Sequence, residues 1–175
     1  FNGMGATRPE VLATLLAYED SAHGALTHAP HSGYLRLSAG DVRLIADVGA
    51  APPRAYSAQA HAGALSFELT AAGERLVVNC GAPQRWRAEW RDAARRTAAH
   101  STLILDDESS ARFAPSRALS SWLDGELIAG PRRVTVDRSQ QDGVAAARHD
   151  GYARSFGVLH RRGWRVTPDL IEGED

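Results

Sequence analysis

The stretch Leu65-Ser66-Phe67-Glu68-Leu69-Thr70-Ala71-Ala72-Gly73-Glu74-Arg75-Leu76-Val77-Val78-Asn79-Cys80 decides the fold class. Its first five residues alternate apolar and polar, and a strand of period two sends Leu65, Phe67 and Leu69 to one buried face. Ala71-Ala72-Gly73-Glu74 reads as the turn, where glycine supplies the positive φ of a tight hairpin. Leu76 to Cys80 reads as the returning strand.

The same pattern extends in both directions. Upstream, Tyr34 to Leu37 and Val42 to Val48 flank the turn Ser38-Ala39-Gly40-Asp41. Downstream, a strand is expected at Ser101 to Asp106. Arg133 to Asp137 and Val144 to Arg148 then surround Gln140-Gln141-Asp142-Gly143, and strands follow at Val158 to Thr167 and Leu170-Ile171. Short alternating runs separated by turn signals predict an all-β fold, an antiparallel β-sandwich. Two stretches read as short helices. Thr7-Arg8-Pro9-Glu10 has capping-box spacing ahead of Val11, Leu12, Leu15 and Leu16. Trp86, Trp90 and Ala94 form one apolar stripe between Arg85 and Arg96. With no internal repeat or low-complexity linker, residues 1–175 are expected to form a single domain. The ends, Phe1-Asn2-Gly3-Met4 and Ile171 to Asp175, suggest a piece cut from a longer protein.

Composition narrows the function classes. With 43% hydrophobic and 23% charged residues the chain reads as globular, and a net charge of −1 offers no general field for nucleic acid. No apolar run approaches the ~20 residues of a membrane-spanning helix. The single cysteine, Cys80, excludes an internal disulfide and reads as a small buried hydrophobe. All twenty basic residues are arginine, which matches GC-rich coding and also suits bidentate contacts to carboxylate or sulfate.

Of the seven histidines, none belongs to a self-contained metal signature such as His-Glu-x-x-His. Position singles out two. His61 precedes the first strand of the hairpin and Asn79 ends the second, so folding about Ala72-Gly73 brings both to its open end. His100, at the start of the expected strand Ser101 to Asp106, reaches the same rim. Polar residues at strand ends commonly make a site on a rigid sheet. Tyr152, in His149-Asp150-Gly151-Tyr152, reads as a turn-packing residue, and Trp86 and Trp90 as core contacts.

Three ordered blocks carry a family resemblance. Gln59-Ala60-His61-Ala62-Gly63-Ala64-Leu65-Ser66-Phe67-Glu68-Leu69, Leu76-Val77-Val78-Asn79-Cys80-Gly81 and Arg96-Thr97-Ala98-Ala99-His100-Ser101-Thr102 resemble successive blocks of the heparinase II/III-like family. Phe1 to Gly5 and His149 to Tyr152 also fit its β domain. The resemblance implies an antiparallel β-sandwich of the heparinase II/III C-terminal type. In that family an N-terminal α-helical toroid precedes this domain, and acidic polysaccharides are cleaved by β-elimination.

The family's first block reads His-x-His-x-Asp. In zinc-containing members its first histidine serves catalysis and its second binds metal, with an aspartate ending the second block and the histidine of the third. Carried over, the metal residues become His61, Asn79 and His100, with zinc as the expected cofactor and His61 and His100 as candidate catalytic groups. Gln59 stands at the first histidine and Gly63 at the acidic position. Gln59 cannot accept a proton at neutral pH, and the carbonyl of Asn79 is a poorer zinc ligand than carboxylate. Gln59 and Arg96 are the candidate substrate contacts. The resemblance thus implies a lyase β domain that acts on uronate-containing polysaccharide beside a toroid, in the periplasm or cell envelope. The alternatives are a non-catalytic carbohydrate-binding or envelope protein that kept the fold, and a cytoplasmic location.

Overall fold

A computed structural model describes residues 8–11, 13, 27–81, 88–114, 126–138 and 142–175. The alternating runs read above become strands where their apolar parity is coherent. β1 (His28–Ala29), β2 (Tyr34–Ala39), β3 (Val42–Asp47), β4 (Phe67–Ala71) and β5 (Glu74–Val77) form a sheet in sequence order. Every pairing is antiparallel. The register sets Leu35 against Ala46, Leu37 against Leu44, and Leu44 against Leu69, which places one apolar row on one face.

Two short strands, β6 (Arg112–Phe113) and β7 (Leu127–Ala129), pair with each other. β8 (Val134–Arg138), β9 (Val144–His149), β10 (His160–Val166) and β11 (Ile171–Glu174) make a second antiparallel sheet in the order β11-β10-β9-β8. Ala145, Ala147, Trp164 and Val166 from this sheet share one buried cluster with Leu35, Leu37, Val42, Leu44, Ala46, Val48, Leu65 and Leu69. Two sheets that close one apolar core between them are a β-sandwich, as expected.

Several local readings change. Leu65 is fully buried as anticipated but precedes β4, with φ of 60°. It follows Ala64 through a turn rather than alternating within the strand. The returning strand stops at Val77, and Leu76 and Val78 are exposed. A register shift between Leu69 and Thr70 breaks the simple pairing of that hairpin. Residues 101–106 are not a strand; they make bends, with one isolated bridge between Leu105 and Glu108. Both residues of the Ala72-Gly73 turn have positive φ, 50° and 81°, as a type I′ hairpin requires.

Two labelled helices are short. α1 (Ala88–Ala94) covers part of the segment read as Arg85 to Arg96, and residues 82–87 lie outside the described set. Trp86 of its apolar stripe lies among those, and the described part of the stripe is divided. Ala94 is buried, but Trp90 is 62% exposed. α2 (Ala153–Phe156) ends at Gly157, which takes the left-handed cap conformation. Near the start, Pro9, Glu10, Val11 and Ala13 are helical, and the remainder of that expected helix lies outside the described residues. Cys80 is exposed rather than buried.

Candidate functional site

The site grows from two loops that carry no regular structure of their own. His61 lies between the 3-10 turn Arg54–Tyr56 and β4. His100 follows a second 3-10 turn, Thr97–Ala99, instead of starting a strand. Arg95 joins the loops: it is buried, its backbone carbonyl accepts from Ala62, and its guanidinium donates to the carbonyls of Ala60 and Ser57. That guanidinium also lies 3.9 Å from the ring centre of Phe113. Thr97, fully buried, donates to the carbonyl of Ala62 and accepts from the backbone N–H of Ser110.

This scaffold brings His61 and His100 together although 39 residues separate them. Nδ1 of His61 and Nε2 of His100 are 3.1 Å apart, and the rings meet edge to face at 88°. Nδ1 of His100 is 2.8 Å from the carbonyl oxygen of Arg96. A carbonyl can only accept, so His100 carries its proton on Nδ1 and offers the lone pair of Nε2. His61 then donates from Nδ1 and keeps a lone pair on Nε2. That nitrogen is buried and, among the described residues, has no hydrogen-bond partner. Burial first, then the neighbouring His100 and Arg95, holds the pKa of His61 down at about 4. Burial lowers that of His100 as well, opposed by its bond to Arg96.

Gly63 is part of this arrangement. A Cβ at that position would lie 2.9 Å from Cδ2 of His100, so the ring packs against bare backbone. The acidic residue expected there from the family pattern would displace the imidazole. Asn79 is also committed. Its Nδ2 donates to the carbonyl of Phe67 at 3.3 Å, and its Oδ1 accepts from the backbone N–H of Ser101 at 3.0 Å. The sequence reading placed Asn79 at the His61 rim. It does reach that end, but as a tie between β4 and the residue after His100.

The donor set therefore fits zinc poorly. Two imidazole nitrogens face each other, the oxygen of Asn79 is already engaged, and among the described residues no group of three or more His, Cys, Asp or Glu could hold a metal. Three protein ligands is the usual minimum. Gln59, exposed in the turn before the pair, and Arg96, exposed after α1, are the remaining expected contacts. Arg96 lines a cleft of about 1390 Å³ whose wall also carries Arg54, Arg95, Arg112, Arg132 and Arg154.

A second cluster was not anticipated. Burial alternates along β10, so His160, Arg162, Trp164 and Val166 all face inward. His149, at the end of β9, is paired in register with His160. Nδ1 of His149 accepts from the N–H of Gly151, its Nε2 is 3.0 Å from Nδ1 of His160, and Nε2 of His160 is 2.7 Å from Oδ1 of Asp175. Arg162 donates to both oxygens of the same carboxylate. The parity of the run His160-Arg161-Arg162-Gly163-Trp164-Arg165-Val166 was the available signal, because an apolar Trp164 and Val166 force His160 and Arg162 to the same side. Tyr152 packs in the adjoining turn, fully buried, and donates to the carbonyl of Leu103.

The comparisons with known proteins agree with this architecture. The sequence profile described as heparinase II/III-like, C-terminal, matches residues 22–175. The FtsZ-localized protein C of Caulobacter vibrioides (strain NA1000 / CB15N) is 32% identical over 181 aligned residues. The match takes in 99% of this chain and 30% of that protein, so the chain spans about a third of the relative's length. A solved structure, described as a heparinase III gene product with methylated lysines, superposes with a TM-score of 0.59 at 16% identity. It covers 93% of this chain and 25% of its own, a likeness of fold. The chain belongs to the heparinase II/III-like family and corresponds to its C-terminal β domain.

Proposed function

We propose that this chain is the β domain of a protein that acts on an acidic, uronate-containing polysaccharide of the cell envelope. In the complete protein, elimination uses His61 as a metal-free base. The observation that carries this reading is the chain of hydrogen bonds from the Arg96 carbonyl through His100 to His61, which leaves one lone pair on Nε2 of His61. A base oriented by a second group that is itself oriented by a third is the usual construction of a proton-transfer site. In the reaction, the proton α to the uronate carboxylate moves to His61 and the electron pair forms the new C4=C5 bond. The C4–O bond breaks, and the leaving oxygen takes a proton from water. Arginines of the neighbouring cleft, Arg96 among them, would neutralise the carboxylate as charge develops on it.

The experiment is incubation of the full-length protein with several uronate polymers, following ultraviolet absorbance of the unsaturated product. Product from the wild type and its loss in His61→Ala support the reading; product that persists in His61→Ala removes His61 from it.

A second reading has its own observations. Gln59 stands where the family's catalytic histidine is expected, Nε2 of His61 is buried, and the 32%-identical relative is named for its localisation with FtsZ. These favour a protein that kept the lyase fold, binds glycan without cleaving it, and localises with FtsZ. Polysaccharide binding without product in the same assay would select it.

A further inference from the structure

We propose that Arg162, held by Asp175, is the positioning residue for the His61–His100 pair. The proposal rests on the reading of that pair as the working site. On the inner face of β10, Trp164 and Val166 enter the apolar core and Arg162 continues the same row, only 9% exposed. A guanidinium buried there needs its charge paired and its donors engaged, and Arg162 makes four hydrogen bonds. Asp175 takes one side of the fork, accepting from Nε and Nη2 at 2.6 Å each. Nη1 faces the other way and donates to two backbone carbonyls, Leu65 at 3.1 Å and Ser101 at 2.6 Å.

Those two carbonyls belong to the two loops that carry the imidazoles. Leu65 lies four residues beyond His61 and holds a positive φ that a leucine rarely adopts, so its carbonyl direction needs an external hold. Ser101 directly follows His100, and its hydroxyl and N–H tie that loop to Phe67 and Asn79. One planar side chain from the second sheet thus fixes both loops at once, and the carboxylate on the far side of the fork fixes the side chain. Lysine has one compact ammonium and cannot pair bidentately with Asp175 while also reaching both carbonyls.

The test is hydrogen–deuterium exchange, read by mass spectrometry on the full-length protein, for Arg162→Lys and Asp175→Asn. Expected is a roughly tenfold faster exchange in residues 61–66 and 100–103 of Arg162→Lys, with β2 and β3 unchanged and a smaller rise in Asp175→Asn. Should Arg162→Lys not fold, Asp175→Asn carries the measurement. Exchange as slow as wild type in both variants, or a uniform rise that includes β2 and β3, overturns the proposal. If the wild type forms unsaturated product, Arg162→Lys lowers kcat with KM unchanged, since misaligned groups lose rate rather than affinity. An unchanged kcat overturns the positioning role. If the wild type forms no product, the elimination reading falls, and the exchange result alone decides whether Arg162 holds the loops.

Discussion

Two histidine pairs in this domain share one geometry and differ in everything around it. His61–His100 and His149–His160 each join Nδ1 to Nε2 at about 3 Å with rings at 88°. The second pair sits between paired strands and both ends of its hydrogen-bond chain are closed, by the N–H of Gly151 and the carboxylate of Asp175. The first sits between loops and is closed at one end only, at the Arg96 carbonyl. Burial of a satisfied polar chain adds rigidity, whereas an open lone pair is a cost to stability that a functional site tolerates. The closed pair is architecture, and the open one is the candidate for chemistry.

Truncation should separate the two pairs most clearly. His149→Ala is expected to destabilise the domain by about 3 kcal/mol, because it leaves a cavity and strands two partners. His61→Ala is expected to cost about 1 kcal/mol, since it strands one partner, Nε2 of His100, and its own Nε2 has none to lose. Urea unfolding of both variants at pH 7 measures the gap, and equal losses would erase the distinction.

Acid should act on both pairs, since His61 and His149 are each held down at about 4. Burial and the neighbouring His160 lower the pKa of His149 to about 4, against 6.5 when unfolded. The unfolded chain therefore binds more protons between those values, and stability falls as pH drops from 6.5 toward 4. For His149 alone the loss reaches about 3 kcal/mol. Asp47 works against it: burial raises its pKa to about 6, so the folded state gains protons on acidification in the range 6 to 3.8. Unfolding midpoints at pH 7, 6 and 5 check the sign, and Asp47→Asn should steepen the acid loss.

Gly63→Ala sharpens the comparison without touching either histidine. The added methyl meets the His100 ring, so the imidazole signals of His61 and His100 should shift while those of His149 and His160 stay in place. The cost is about 1 kcal/mol. The smallest expected effect concerns zinc. A donor set of two imidazoles and an engaged amide should leave the melting temperature of the full-length protein unchanged by micromolar zinc, and a clear rise would restore the metal site.

The fold was largely legible because strand parity is local. The hairpin Tyr34 to Asp47, the type I′ turn at Ala72-Gly73 and the second sheet each follow from alternation and turn residues. Where parity misled, a three-dimensional demand had overridden it. Leu65 is buried through a left-handed turn, and residues 101–106 follow the first sheet without joining it. Trp90 shows that helical spacing alone does not create a core face, since on the same stripe Ala94 is buried while Trp90 is exposed.

Alternation, turn residues and ordered blocks were enough for the all-β class, most of the hairpins, the family and the gathering of His61, His100 and Asn79 toward one end of the β4–β5 hairpin, though not for that hairpin's register. How they are bonded there follows from the tertiary structure alone. It bonded the imidazoles to each other, fixed their tautomers through the Arg96 carbonyl and turned Asn79 into a backbone tie. It also placed Arg162 and Asp175 behind both loops. The physical reason is range: a strand's parity is written in adjacent residues, whereas a hydrogen-bond chain across 39 to 97 positions exists only once two sheets have closed on each other.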